Sequence, residues 1–110
     1  MDLSYEVKDS YAEITAAGRL NMVSAPKLRE MVAEVVAAGS SRIVINLKET
    51  AFMDSSGLGA LIGCLKAARQ AGGDLRIAAV QPQVQMVLGL TSMDKVLTSY
   101  SSAAVAFGDD

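Results

Sequence analysis

Apolar and polar positions alternate through Leu3-Ser4-Tyr5-Glu6-Val7. That period of two belongs to a half-buried strand. Lys8-Asp9-Ser10 reads as a turn, and Tyr11 to Ala17, with Ile14 and Thr15, as the second strand of a hairpin that Gly18 closes. The period then changes. Leu28, Met31, Val32, Val35 and Val36 fall at i, i+3, i+4, i+7 and i+8, with Lys27, Arg29, Glu30 and Glu34 off the stripe. This predicts an amphipathic helix. Ser24 is a suitable N-cap, Pro26 is tolerated in a first turn, and Gly39 suits the left-handed position that ends helices.

Arg42-Ile43-Val44-Ile45-Asn46-Leu47 is apolar at most positions, which predicts a strand covered on both faces. Leu58, Leu61, Ile62 and Leu65 form the stripe of a second helix that runs to about Ala71 and ends at Gly72-Gly73. Leu75 to Val80 is another strand. Pro82 opens a short helix with Val84, Val87, Leu88 and Leu90 inward. Residues 95–98 read as a short last strand, and Ser101 or Ser102 as the cap of a final small helix, Ala103–Phe107. Gly108-Asp109-Asp110 is expected to be a frayed acidic end. Strands alternating with helices from residue 24 imply parallel pairing with right-handed crossovers, while the opening hairpin makes one pair antiparallel. The expected fold class is α/β, with a mixed sheet of four or five strands and helices packed mostly on one face. Residues 1–110 are expected to form a single domain.

Composition narrows the chemistry. A chain of 110 residues with 51% hydrophobic content has enough core to fold without staples. Its net charge of −2, with no basic cluster, argues against nucleic acid as a partner. The apolar run Leu58–Leu65 is far short of the ~20 residues a membrane helix needs, so no membrane partner is expected. Cys64 is the single cysteine, so no intrachain disulfide can form. With no signal peptide in view, the expected location is the cytoplasm. Histidine is absent, which removes zinc sites and Ser-His or Cys-His triads. No enzyme activity, metal or cofactor is expected.

The chemistry that remains lies in Phe52-Met53-Asp54-Ser55-Ser56-Gly57-Leu58-Gly59, between the strand and the second helix. Backbone N–H groups at a helix start lack intrahelical partners, and the helix dipole places partial positive charge there. One reading is a plain helix cap, in which a serine oxygen takes those N–H groups and Gly57 allows a tight turn. A nucleophile elbow does not fit, because Asp54 rather than glycine stands two residues before Ser56. A phosphate-binding loop does not fit either, because no Gly-Lys-Ser or Gly-Lys-Thr follows. The functional reading makes Ser55 a phosphorylatable switch at the helix start. Small residues Gly59, Gly63 and Ala67 recur at four-residue spacing on the same helix, flanked by Ala60, Cys64, Ala68 and Ala71. Tight packing on a neighbouring helix and a smooth face where a partner docks are both open readings. The methionines Met22, Met31, Met53, Met86 and Met93 read as core filler. Met22 and Met53, beside the two motif blocks, are also candidate exposed contacts.

The central motif closely resembles the signature of bacterial anti-sigma factor antagonists, which are single STAS domains. Gly18-Arg19-Leu20-Asn21 with Ala25-Pro26-Lys27-Leu28-Arg29 resembles a second family block, and Ile43-Val44-Ile45-Asn46-Leu47 the strand before the motif. The resemblance covers nearly the whole chain. It implies a STAS-like fold and a partner-switching cycle. In that cycle the unphosphorylated antagonist binds a serine/threonine kinase anti-sigma factor and frees the sigma factor. The kinase phosphorylates the serine after the motif aspartate, here Ser55, and a phosphatase resets it. Ser56 is at most a secondary phosphorylation candidate. The implied partner-binding residues are Asn21, Ser24, Asp54, Ser56, Gly57, Gly59 and Gly63. Asp54 is read either as a loop carboxylate held by backbone N–H groups or as an orienter of Ser55 that assists near the kinase's nucleotide and Mg²⁺. Asn21 stands where family members usually carry aspartate, and Arg19 where an acid is frequent, so this end of the docking surface is less acidic. Two alternatives share the fold: a non-phosphorylated scaffolding subunit of a lipid-transport or stress-signalling complex, and a phosphoswitch with a non-sigma output.

Overall fold

The hairpin begins the chain as the alternation requires. In the computed structural model, which describes residues 1–108, β1 (Asp2–Val7) pairs antiparallel with β2 (Ala12–Leu20) from Asp2↔Ala17 to Val7↔Ala12. β2 is the longer strand, and its side chains alternate between the core and a half-exposed face. The chain continues through α1 (Ala25–Ala37), β3 (Arg42–Asn46), β4 (Thr50–Met53), α2 (Ser55–Gln70) and β5 (Asp74–Ala78). It ends with α3 (Pro82–Leu90), a single 3₁₀ turn at Met93–Lys95, β6 (Ser99–Tyr100) and α4 (Ala103–Ala106). Asp109 and Asp110, expected to fray, lie outside the described residues.

The sheet runs β1-β2-β3-β5-β6, and every pair after the hairpin is parallel. β4 lies off this path and pairs parallel with the far end of β2, past a register shift between Gly18 and Arg19. Among the described residues the sheet therefore has six strands, one more than the upper expectation. The additional strand is β4, whose second half overlaps residues 52–59, the stretch read from sequence as the connection between a strand and the second helix. The last strand is also displaced. Residues 95–98 do not form it; Leu97 is fully buried as a plug, and β6 begins at Ser99 opposite Ile77.

Two cores flank the sheet. The larger is built from Ala12, Ile14 and Ile45 of the sheet with Leu28, Val32 and Val35 of α1, Leu61 and Leu65 of α2, and Val84 and Leu88 of α3. The smaller, on the opposite face, joins Val44 and Ala78 to Ala103, Ala106 and Phe107. β3 is thus buried on both faces, and among the described residues three of the four helices lie on one side. On the other side the Phe107 ring contacts the guanidinium groups of Arg42, at 4.7 Å, and Arg76, at 4.2 Å. Arg76 also donates a hydrogen bond to the Ala106 carbonyl at 2.6 Å. α1 stops as its glycine dictates: Gly39 has φ +107, and the Ser40 and Gly39 N–H groups return to the Val35 and Val36 carbonyls. Leu90 lies at the surface, 80% exposed, because α3 buries only Val84 and Leu88 fully.

Candidate functional site

Two strand ends create the site. β2 and β4 run parallel, with Arg19 opposite Phe52 and Leu20 opposite Met53. The segments that leave them, Asn21–Ser24 and Asp54–Ser55, therefore emerge side by side at one end of the sheet. The Asp54 N–H donates to the Leu20 carbonyl at 3.2 Å and joins the two exits directly. The two motif blocks, about thirty residues apart in sequence, are brought together by this short parallel pair. The Arg19 guanidinium lies 4.3 Å from the Phe52 ring centroid, a cation–π contact that covers the pair from the solvent side.

The first exit is a closed hydrogen-bonded turn. Asn21 Oδ1 accepts from the N–H groups of Val23 at 3.0 Å and Ser24 at 3.2 Å. Ser24 Oγ accepts from the Asn21 N–H at 2.9 Å and donates to the Arg19 carbonyl at 2.7 Å. A side-chain oxygen that accepts from N–H groups two and three residues on defines an Asx turn, which asparagine forms as well as aspartate. The turn lifts Met22 and Val23 into solvent, 73% and 72% exposed.

The second exit carries the helix start. Asp54, in extended conformation, is the N-cap of α2, and its Oδ1 accepts from the Gly57 N–H at 3.0 Å. Ser55 is the first helical residue and is exposed; Ser56 is half-buried. Gly57 is buried, and a Cβ there would stand 2.2 Å from the Leu20 carbonyl oxygen. Only glycine lets α2 start this close to the end of β2. The helix start thus presents Ser55 outward, with the Asp54 carboxylate turned back to cap.

The expected site residues divide accordingly. Asn21, Asp54, Ser55 and Ser56 gather at the strand ends. Gly59 and Gly63 are exposed farther along α2, and Gly59 has open space where a side chain would project. Two expectations need correction. Ser24, 3% exposed, and the buried Gly57 present no surface to a partner. The Ser24 hydroxyl is consumed inside the Asn21 turn rather than capping α1, and Gly57 serves the close approach to Leu20. The small-residue stripe is split: Ala60, Cys64 and Ala68 pack inside the fold, while Gly63 borders a shallow groove of about 200 Å³ shared with Arg29 and Val32 of α1. Burial pushes the Cys64 thiol up to about 11, against the opposing pull of Arg29, so this cysteine stays protonated and inert. Met53 is core at 1% exposure, so of the two candidate methionine contacts only Met22 reaches the surface.

Sequence reading missed Gln83. Its amide accepts from the Met53 N–H at 2.8 Å and donates to the Met53 carbonyl at 3.1 Å, closing the side of β4 that β2 leaves open. No sequence signal marks it. The consecutive apolar pair Met22-Val23, absorbed by no helical or strand period, was the available sign of an exposed contact.

The sequence pattern of the STAS domain matches residues 2–106. An anti-sigma-B factor antagonist of Staphylococcus aureus is 29% identical over 99 residues, covering 88% of this chain and 92% of that protein. The crystal structure of an anti-sigma factor antagonist from Mycobacterium paratuberculosis superposes with a TM-score of 0.86 at 26% identity, covering 98% of this chain and 92% of the other. The phosphorylated form of the Bacillus cell fate determinant SpoIIAA shares the fold with a TM-score of 0.73 at 19% identity, covering 98% of each chain.

Proposed function

The chain belongs to the STAS domain family, and we propose that it works as an anti-sigma factor antagonist switched by phosphorylation of Ser55. The carrying observation is the placement of Ser55. It is an exposed hydroxyl at the first position of a sixteen-residue helix, beside a second loop held in register by the β2–β4 pair. In its unmodified form this end of the molecule offers a neutral hydroxyl and the apolar Met22 and Val23, with the small Gly59 and Gly63 exposed farther along α2. Such a surface suits the protein kinase anti-sigma factor we infer as partner. The antagonist itself is proposed to be non-catalytic and to act in the cytoplasm. A separate phosphatase would restore the free hydroxyl.

Phosphorylation adds about −1.5 to −2 charges. The N-terminal dipole and unpaired N–H groups of α2 accommodate that charge, so the fold persists. The effect falls on the interface, where a partner would desolvate a dianion next to the Asp54 carboxylate. Like-charge juxtaposition at an interface costs several kcal/mol, and about 3 kcal/mol is a hundredfold in affinity. The test is a pull-down from lysate of the native host with Ser55→Ala and Ser55→Glu as paired baits. A small ATP-binding kinase retained by the first and lost by the second is the expected outcome. Equal recovery of one partner by both baits would overturn the switch and favour a scaffolding role.

A further inference from the structure

We infer that β1 is a self-association edge through which two copies of this chain join their sheets antiparallel. β1 is the terminal strand of the sheet, and among the described residues no other strand pairs with its outer edge. The β1–β2 register is unbroken from Asp2 to Val7, so no bulge twists the edge away, and the strand contains no proline. Bulges and prolines are two of the devices that keep edges from pairing; charged side chains are another, and β1 carries Asp2 and Glu6. The other end of the sheet, β6, is two residues long and offers little to pair with.

The hairpin register says which backbone groups are available. The Lys8 N–H donates to the Tyr11 carbonyl at 2.8 Å, so even-numbered residues of β1 turn their hydrogen-bonding groups toward β2. The groups of Leu3, Tyr5 and Val7 then point outward. Their side chains lie on the helix-covered face, opposite Ala16, Ile14 and Ala12, yet Tyr5 is 38% and Val7 60% exposed. Leu3 packs partly against the larger core, and Tyr5 and Val7 stand exposed at its margin.

Charge selects the register. Outward groups must meet outward groups, so the two-fold axis has to pass at a pleat-compatible position. Centred on Tyr5, the pairing sets Tyr5 against Tyr5 and Leu3 against Val7, and places Asp2 of each copy opposite Lys8 of the other. Sliding one pleat toward the N-terminus opposes Asp2 to Glu6 twice. Sliding one pleat the other way opposes Glu6 to Glu6. Like charges directly opposite are destabilising and opposite charges stabilising, so the Tyr5-centred register is preferred among the three longest. Lys8 already holds Glu6 at 3.1 Å within its own chain and would gain Asp2 of the second copy. β1 and β4 flank opposite sides of β2, so such a dimer leaves Ser55 in solvent.

Sedimentation equilibrium of the full chain tests this, with Asp2→Lys, Lys8→Glu and the double variant as comparisons. All three replace exposed side chains. The expected result is a monomer–dimer equilibrium in the unmodified chain. Each single reversal should weaken it about tenfold, because two symmetric attractions become repulsions, and the double variant should restore it. A chain that stays monomeric up to about 1 mM would overturn the proposal. So would a dimer indifferent to the single reversals, or one that the double variant fails to restore.

Discussion

Ser24 and Ser55 both stand at the start of a helix that follows a strand of the same parallel pair, yet their surroundings are opposite. The Ser24 hydroxyl is buried and lies within bonding distance of the Arg19 carbonyl and the Asn21 N–H. The Ser55 side chain is exposed, and the neighbouring Asp54 has taken over the capping task. At α2 the Asp54 carboxylate supplies the side-chain acceptor, whereas α1 starts without one because the Ser24 hydroxyl is taken up in the Asn21 turn. The serine beside Asp54 is released from structural duty. A modifiable hydroxyl has to be dispensable to the fold, and the contrast shows how one residue of separation achieves that.

The contrast can be broken at its shared foundation. Gly57→Ala should have the largest effect, a loss of about 3 kcal/mol, because its methyl group would drive into the Leu20 backbone and separate the two exits. A lowered urea midpoint at unchanged slope would register it. Ser24→Ala should cost about 2 kcal/mol, since it removes the buried hydroxyl that serves the part-buried Arg19 carbonyl and Asn21 N–H. Ser55→Ala should change stability by less than about 0.5 kcal/mol in the same assay. Equal losses for the two serines would remove the distinction between them.

Much of this arrangement was legible in the sequence. The hairpin alternation, the α1 stripe and the apolar run of β3 translate directly into elements because each has a period and a length of its own. The motif around Ser55 was legible as a helix start for the same reason. β4 was not. Thr50-Ala51-Phe52-Met53 has no clean alternation, and it becomes a strand only because β2 extends past its pairing with β3 and leaves an edge to fill. Thr50, fully buried, donates its hydroxyl to the Ala16 carbonyl at 2.7 Å, a bond across thirty-four residues that no local pattern announces. Missing β4 also hid why the two motif blocks are neighbours. Ser24 and Gly57 looked like contact residues because they sit inside those blocks, but their burial follows from the turn and the close approach that the strand pair imposes.

The Gln83 amide has a consequence for anyone designing ligands against this end of the molecule. By occupying both the N–H and the carbonyl of Met53, it acts as a one-residue stand-in for a neighbouring strand. An extended peptide laid along β4 would have to evict it before bonding to the Met53 backbone. Stapled helices or small folded scaffolds that press on Met22, Val23 and the first turn of α2 meet no such barrier, and they are the better starting point for an inhibitor.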